Sequence, residues 1–334
     1  YGGTESDDIS PETTGTAIAD VVSARSQLKE SYVSAVWPAP MLLSPHSLVD
    51  PALSRGAQRR DSSVTGPAII REIAACLDGS ELGSGIVPHA QTLARAFGAR
   101  LTLLRVLEAE TADAVPVDAL DWGIRYREAK GQLADLEAEL GEMEPGARAV
   151  LIQGRAAEQI CAWAAKHDID ITVLCSHGKR GVTEWDLAST ARKIIDRAPG
   201  SLLLVPAAAA ERQQAVHYRR ILVPLDGSPR AESVAPLAMR IAQAEEGAEV
   251  LFAHVVPVPE ITCVGPLDAA GAELEERGTE YNRRVASAHV DRVRARSHQA
   301  GVHVRAKVVR DGNVRTRLDR LIRDEGVDLV VMSA

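Results

Sequence analysis

The tetrapeptide Leu-Asp-Gly-Ser occurs twice in the chain, at residues 77–80 and 225–228. In each copy a carboxylate, a glycine and a hydroxyl follow an apolar run and precede a segment with helical periodicity. Such residues can contact a small ligand at the end of a strand. They are equally typical of a tight turn followed by a helix cap. For Asp78 and Asp226 the sequence leaves both interpretations open.

A second stretch combines glycine with positive charge. Residues 175–181 read Cys-Ser-His-Gly-Lys-Arg-Gly, and Ser189 lies at the start of the next predicted helix. Gly178 would allow the backbone to approach a phosphate closely, and backbone amides at a helix start hold anions. Lys179 and Arg180 would add positive charge, and Ser189 would add a hydroxyl. The alternative for these residues is a tight turn, solvated cations and a helix cap.

The two Leu-Asp-Gly-Ser segments belong to an internal duplication. They lie 148 positions apart, and the same offset relates Pro88 to Pro236. Further along, Asp170 and Asp328 correspond at an offset of 158. A repeat this regular indicates two copies of one structural unit.

Each copy is predicted to alternate strands with helices. Predicted strands cover residues 68–77, 100–106, 147–153, 170–175 and 201–205, then 220–225, 249–256, 302–309 and 328–332. Longer predicted helices cover 120–140, 156–166, 188–197, 270–300 and 314–325. This alternation indicates right-handed crossovers and parallel strands. The predicted fold is therefore α/β, with two tandem Rossmann-like units. Each is an open parallel five-stranded sheet with helices on both faces, and the second lacks its last helix and strand.

Four segments follow from this pattern. Residues 1–66 have scattered prolines and no sustained period, which predicts a mostly irregular or disordered leader. Residues 67–206 form the first unit, 207–217 a linker, and 218–334 the second unit. Because the second unit stops after its fourth strand, we expect that strand to be an uncovered edge, prone to pair with another chain.

Composition narrows the functional classes. The net charge is −8 and the pI about 5.7, whereas nucleic-acid-binding surfaces are usually basic. No apolar run approaches the ~20 residues of a membrane span. The four cysteines are too few and scattered for a disulfide scaffold, which favours a reducing compartment. We therefore expect a cytoplasmic protein that binds neither nucleic acid nor membrane.

Repeat, turn and loop together resemble the universal stress proteins of the tandem type. The resemblance covers about residues 67–334 and implies the Rossmann-like fold of the adenine nucleotide alpha hydrolase-like class. In nucleotide-binding members of that family the loop after strand four follows Gly-x2-Gly-x9-Gly-Ser/Thr. On this chain Cys175, Gly178 and Ala188 take the three glycine positions, and Ser189 takes the last.

The resemblance also implies a nucleoside site in each unit. Asp78 and Asp226 correspond to the residue that contacts the nucleoside. Val106 and Val255, from the second strand of each unit, correspond to the wall of the adenine site.

The two units match the family unequally. In the second unit Pro224, Asp226, Val255 and Met332 all match, but no phosphate loop follows its fourth strand. In the first unit the loop is present but departs from the pattern at two glycine positions. At one of these, the side chain of Cys175 would occupy space that the nucleotide needs.

The resemblance places Cys76 and Cys175 at the ends of neighbouring strands. One hypothesis is that the two sulfurs lie close enough for a redox pair or a soft-metal contact. The alternative is two small apolar residues at strand ends.

The resemblance implies a non-enzymatic stress-response protein. Its ligand would be ATP or another adenine nucleotide, with Mg²⁺ accompanying ATP, and it would act through protein partners or self-association. One alternative is a nucleotide-free dimerisation or interaction scaffold, which Cys175 and Ala188 favour. Another is an ATP-hydrolysing or adenylyl-transfer enzyme, but the strand-one turn does not resemble the Ser-Gly-Gly-x-Asp-Ser loop of such enzymes. No catalytic residue and no metal site are predicted.

Overall fold

The computed structural model describes residues 39–44, 70–108, 118–141, 146–176, 189–211, 215–256, 269–298, 301–310 and 313–333. The strands in these ranges are β1 Met41–Ser44, β2 Glu72–Leu77, β3 Arg100–Leu107, β4 Ala147–Gln153, β5 Ile171–Cys175, β6 Ser201–Val205, β7 Arg220–Pro224, β8 Glu249–Val256, β9 His303–Arg310 and β10 Leu329–Ser333. The helices are α1 Glu81–Ser84, α2 Val87–Phe97, α3 Ala119–Gly141, α4 Ala156–Lys166, α5 Ser189–Arg197, α6 Ala207–Ala210, α7 Pro229–Glu232, α8 Ala235–Gln243, α9 Ala269–Arg296 and α10 Val314–Glu325.

All these strands belong to one sheet, in the order β4-β3-β2-β5-β6-β1-β10-β7-β8-β9. The five strands of the first unit are parallel to one another. The second unit's own four strands are also parallel, in the order β10-β7-β8-β9. The predicted α/β fold with tandem Rossmann-like units is confirmed, and the two units share a single sheet.

Helix α2 shows how the sequence encodes these elements. Pro88 lies in its first turn, where a missing amide hydrogen costs nothing, and Leu93 is buried toward the sheet. The helix ends at Gly98, whose φ of 65° lies in the left-handed region that glycine adopts without strain. In the part of the chain with assigned structure, no helix is both long and apolar enough to cross a membrane.

Both faces of the sheet are covered across both units. Helices α2, α3, α8 and α9 pack on one face, and α4, α5 and α10 pack on the other. Alternation along β1 sends Leu42 to the first face and Met41 and Leu43 to the second. Each apolar cluster is therefore continuous from the first unit into the second.

The prediction of an uncovered edge at β10 was wrong. Strand β1, from within the predicted leader, pairs parallel with β10 from Met41 opposite Val330 to Ser44 opposite Ser333. Its other side pairs antiparallel with β6. β1 thus takes the place in the second unit that β6 holds in the first, and it satisfies backbone groups that an edge would leave unpaired. The other residues of the predicted leader, 1–38 and 45–66, lie outside the described ranges.

The repeated aspartates close each unit in the same way. Asp170 accepts hydrogen bonds from the backbone amides of residues 71 and 72, at 2.7 and 3.0 Å. Asp328 accepts from the amides of residues 219 and 220, at 3.0 and 2.8 Å. Each carboxylate satisfies the amides that begin strand one of its unit, so this element of the repeat is architectural.

The predicted linker is packed against the first unit. The linker contains α6, and the segment that follows α6 runs along α2. There Thr92 donates to the carbonyl of Val216 at 2.7 Å. Buried His89 and Tyr218 form a hydrogen bond of 2.8 Å between Nδ1 and the phenol oxygen.

Candidate functional site

The first Leu-Asp-Gly-Ser turn follows β2 and begins α1. Asp78 Oδ1 accepts from the amide of Ser80 at 2.9 Å and from its hydroxyl at 2.6 Å. The Ser80 oxygen in turn accepts from the amide of Gly83 at 2.9 Å. Gly79 has a φ of 76°, a conformation that favours glycine. Turn and cap chemistry accounts for the residue types here.

The second turn repeats this arrangement after β7. Asp226 Oδ1 accepts from the amide of Ser228 at 2.8 Å, and the Ser228 oxygen accepts from the amide of Ala231 at 3.1 Å. Gly227 has a φ of 88°. Local geometry therefore does not distinguish the two candidate sites.

The first turn is covered by a neighbouring side chain. Arg105, from β3, is only 9% exposed, and a β-carbon placed on Gly79 would clash with its Nη2. Its Nη1 donates to Gln132 Oε1 at 2.6 Å. Burial lowers the pKa of Arg105, and the carboxylates of Asp78 and Glu128 oppose that shift. The guanidinium fills the space between the turn and the second strand.

Among the described residues, no side chain covers the second turn in this way. A β-carbon placed on Gly227 would meet none of their atoms within 4 Å, and Asp226 is exposed. In the repeat the counterpart of Arg105 is His254, which precedes Val255 as Arg105 precedes Val106.

His254 is a half-buried imidazole beside this open turn. Its pKa is lowered by burial and by His289, while Asp226 and the carbonyl of Leu225 act in the opposite direction. Its Nδ1 is buried and has no hydrogen-bond partner within the described residues. Buried polar groups are nearly always satisfied, so this atom is a candidate contact for a ligand.

The other predicted residues of the second unit lie at the ends of three adjacent strands. Pro224 ends β7, while Val255 of β8 and Met332 of β10 are buried in the same apolar cluster. Arg230 Nε donates to Ser333 Oγ at 3.1 Å and so joins the start of α7 to the end of β10. The structure thus brings buried apolar side chains, an exposed carboxylate and a half-buried imidazole to one end of the sheet.

A family model described as the universal stress protein family matches residues 70–206 and again residues 217–334. The chain belongs to the universal stress protein family. Its two matches make it a tandem universal stress protein.

Solved structures with a TM-score above 0.5 agree on the fold. The chain is similar to a Pseudomonas aeruginosa UCBPP-PA14 protein assigned to the universal stress proteins, with 15% identity, coverage of 78% of this chain and 82% of the other, and a TM-score of 0.54. A universal stress protein from Archaeoglobus fulgidus DSM 4304 gives 13% identity, 78% and 85% coverage, and a TM-score of 0.51. A universal stress protein in complex with cAMP is 17% identical and covers 42% of this chain and 99% of its own, with a TM-score of 0.30. In a comparison with curated proteins, none matches.

The predicted phosphate loop of this universal stress protein lies mostly outside the described residues. Gly178, Lys179, Arg180 and Ala188 are among the residues not described, and for Ser189 only its place at the start of α5 is described. Their contact with phosphate therefore stays a prediction.

The proposed pairing of Cys76 with Cys175 was wrong. Side chains alternate along a strand, and Cys76 belongs to the apolar cluster on one face of the sheet while Cys175 packs against the cluster on the other. Burial raises the pKa of the Cys76 thiol, and the thiol whose charge adds to this shift is that of Cys161.

Sequence reasoning missed the most informative residue of the site, Arg105. A signal was available in the repeat, because Arg105 and His254 occupy equivalent positions and differ in length and charge. In the first unit the Arg105 guanidinium occupies the space beside the strand-one turn. In the second unit the equivalent position holds His254, beside the exposed carboxylate of Asp226.

Proposed function

We propose that this tandem universal stress protein is a non-enzymatic, cytoplasmic stress-response protein that binds an adenine nucleotide at its second unit. It acts through protein partners or self-association. The observation that carries the proposal is the contrast between the open turn at Asp226 and Gly227 and the covered turn at Asp78 and Gly79.

The chemistry of the second unit suits the nucleoside part of such a ligand. The exposed carboxylate of Asp226 can accept hydrogen bonds from ribose hydroxyls or from an exocyclic amine. The unsatisfied Nδ1 of His254 can bond to a polar atom of the ligand. Val255 and Met332 are 7% and 9% exposed and supply the apolar layer beneath this end of the sheet, next to which a base would lie.

Binding without turnover is the expected behaviour. Asp226 already accepts a hydrogen bond from the Ser228 amide, which fixes its carboxylate as part of the turn. General acid–base catalysis requires a group poised to exchange protons near the operating pH. We therefore expect ATP to be recovered intact after long incubation with the protein and Mg²⁺, with chromatography of the nucleotide as the measurement.

The binding test compares two matched substitutions. Asp226→Asn and Asp78→Asn each keep an oxygen that can accept the turn hydrogen bond and remove the charge. Titration calorimetry with ATP, ADP, AMP and cAMP, with and without Mg²⁺, measures binding to each variant. Asp226→Asn is expected to weaken binding by ~10-fold or more, since hydrogen bonds to charged groups contribute about 1.5–3 kcal/mol. Asp78→Asn is expected to change it less than about twofold. A larger loss in Asp78→Asn would contradict the proposal.

The second candidate is a nucleotide-free interaction scaffold. The position of Arg105 over the first turn favours the scaffold. If both units bound nucleotide, the strand-one turn would be expected to be open in both. Under this alternative none of the four nucleotides binds the wild-type protein, and neither aspartate substitution alters the calorimetric signal.

A further inference from the structure

Two imidazoles meet beside the strand-one turn of the second unit. His254 follows Phe252 by two positions on β8, so both side chains lie on the face of the sheet that α9 covers. His289, on α9, is only 6% exposed. Nδ1 of His254 and Nε2 of His289 are both buried, and neither has a hydrogen-bond partner within the described residues. Buried polar atoms are nearly always bonded, so this pair calls for an explanation.

The first unit has a polar pair of a different kind at the equivalent positions. Its strand-two residue is Arg105, whose Nη1 donates to Gln132 Oε1 at 2.6 Å. Gln132 lies 157 positions before His289, and the same offset relates the buried Ala129 to Ala286. An arginine keeps its charge and a glutamine has none, whereas an imidazole can gain or lose a proton. The repeat thus contains a pair that does not titrate in one unit and two titratable side chains in the other.

The surroundings of His254 act on its charge in opposite directions. Burial lowers its pKa and the charge of His289 lowers it further, whereas the carboxylate of Asp226 and a hydrogen bond to the carbonyl of Leu225 raise it. The neighbouring strand β9 places only the apolar Val308 opposite it. A neutral ring that donates to a carbonyl through its other nitrogen carries no proton on Nδ1. This nitrogen is therefore an acceptor until the ring is protonated.

The other imidazole has a carboxylate next to its Nδ1. Glu232 Oε1, from α7, lies 3.6 Å from Nδ1 of His289. Arg296 Nη1 lies 3.5 Å from the other oxygen of Glu232. Helix α8 packs on the same face and buries only apolar side chains. Within the described residues, the charged groups around the two imidazoles are thus Asp226, Glu232 and Arg296.

We propose that His254 and His289 couple ligand binding at the second unit to the uptake of one proton. The coupling rests on the adenine-nucleotide binding proposed above. A phosphate group is anionic and offers acceptor oxygens, and a negative charge within ~4–6 Å of an imidazole favours its protonated form. The proton passes from solvent to Nδ1 of His254, which then donates to the ligand. In the first unit Arg105 already carries its charge and has no proton to take up.

His289 acts through His254 and is a positioning residue. Two close imidazoles resist holding two protons at once, and the charge of His289 opposes the protonation of His254 while the site is empty. The ligand's negative charge offsets that repulsion. His254 therefore gains its proton on binding instead of carrying it beforehand, and nucleotide should bind more tightly as the pH falls.

Titration calorimetry with ATP and with AMP, between about pH 5.5 and 8, tests the coupling in the wild-type protein and in His254→Gln. A terminal phosphate itself titrates at about pH 6, but this contribution is common to both proteins and cancels in their difference. Wild-type affinity is expected to rise about three- to tenfold more than that of His254→Gln as the pH falls, since one proton contributes at most about tenfold per pH unit. Repeating the titration in two buffers of different ionisation enthalpy measures the proton taken up.

His289→Gln introduces the residue of the first unit and separates a positioning role from a structural one. Without the charge of His289, His254 is protonated more readily in the free protein, so the pH-dependent part of the affinity should move to higher pH. A loss of packing alone would lower the affinity by the same factor at every pH and would overturn this role. The control His298→Gln removes an exposed imidazole just beyond α9 and should leave the profile unchanged.

Nuclear magnetic resonance of ¹³C-labelled histidines in the wild-type protein keeps the coupling falsifiable if His289→Gln does not fold. The spectrum of His254→Gln assigns the His254 signal, whose titration midpoint should move to higher pH when ATP or AMP saturates the site. A midpoint that stays in place, or equal pH profiles for the wild type and His254→Gln, would overturn the coupling and leave nucleotide binding intact. Absence of binding by either nucleotide at every pH would instead overturn the proposed function, and the coupling with it.

Discussion

The two units of this universal stress protein share one architecture and complete it differently. The first unit closes its sheet with its own β6 and covers its strand-one turn with Arg105. The second unit closes its sheet with β1, from far earlier in the chain, and none of its described side chains covers the turn beside His254. The capping aspartates and the Asp-Gly-Ser turns are the same in both. What the duplication retains is therefore the scaffold, and the two strand-one turns differ in the side chain that strand two places beside them.

The largest expected effect on stability concerns strand β1, which completes the sheet of the second unit. Leu42 of β1 and Leu203 of β6 face each other in register, and both are 0% exposed. Leu42→Ala and Leu203→Ala should each lower the free energy of unfolding by about 2–5 kcal/mol, because each leaves a cavity in the same core. Urea denaturation measures both variants. If Leu42→Ala has no effect while Leu203→Ala does, β1 is not a stable member of the sheet.

The next largest effect distinguishes helix α2 from α8, its counterpart in the repeat. His89 of α2 occupies the position that Leu237 holds in α8, and burial lowers its pKa from 6.5 to about 4. Burial raises the pKa of Tyr218, so its hydroxyl keeps its proton and shares a hydrogen bond with His89 Nδ1. Between pH 6.5 and 4 the unfolded chain binds a proton at His89 that the folded chain does not. His89 should therefore make the folded state lose about 3 kcal/mol as the pH falls through this window.

Denaturation at a series of pH values measures this loss in the wild-type protein and in His89→Gln. Glutamine can still bond to Tyr218 but does not titrate. The difference between the two curves should grow as the pH falls from 6.5 to 4. Parallel curves would show that His89 is protonated in the folded protein as readily as in the unfolded chain.

The smallest effect distinguishes the covered turn from the open one. Alanine at either Gly79 or Gly227 must adopt a positive φ, which costs ~1–2 kcal/mol. At Gly79 the new methyl group also displaces Arg105 and its hydrogen bond to Gln132, which adds about 1 kcal/mol. Gly79→Ala should therefore destabilise the protein more than Gly227→Ala in thermal or urea unfolding. In an Arg105→Ala background the excess should vanish, and an unchanged excess would mean that Arg105 does not cover the turn.

Periodicity predicted much of the fold. The predicted ranges 147–153, 156–166, 249–256 and 314–325 agree with the observed elements to the residue, because each has an unbroken pattern between clear boundaries. Strand β1 was missed because it is four residues long, lies among prolines and pairs only with distant segments. The sequence did contain a signal for this strand. Met-Leu-Leu at 41–43 and Leu-Leu-Leu at 202–204 are each followed by a proline two positions after their last leucine.

The site was less predictable than the fold. The sequence identified Asp78 and Asp226 as equivalent, and their local hydrogen bonds are indeed alike. The difference between the two turns comes from the side chain of Arg105, whose position depends on burial and on a bond to Gln132 on another element. Likewise, the placement of Cys76 and Cys175 on opposite faces depends on strand register, which strand adjacency alone does not give.

Photoaffinity labelling with an 8-azido adenine nucleotide, followed by mapping of the labelled peptides, tests the central claim most directly. If the second unit holds the base and the first is closed, the label should attach to peptides that contain residues 224–230 or 249–256, and excess ATP should remove it. Label on residues 77–80 or 100–107, competed by ATP in the same way, would contradict the account.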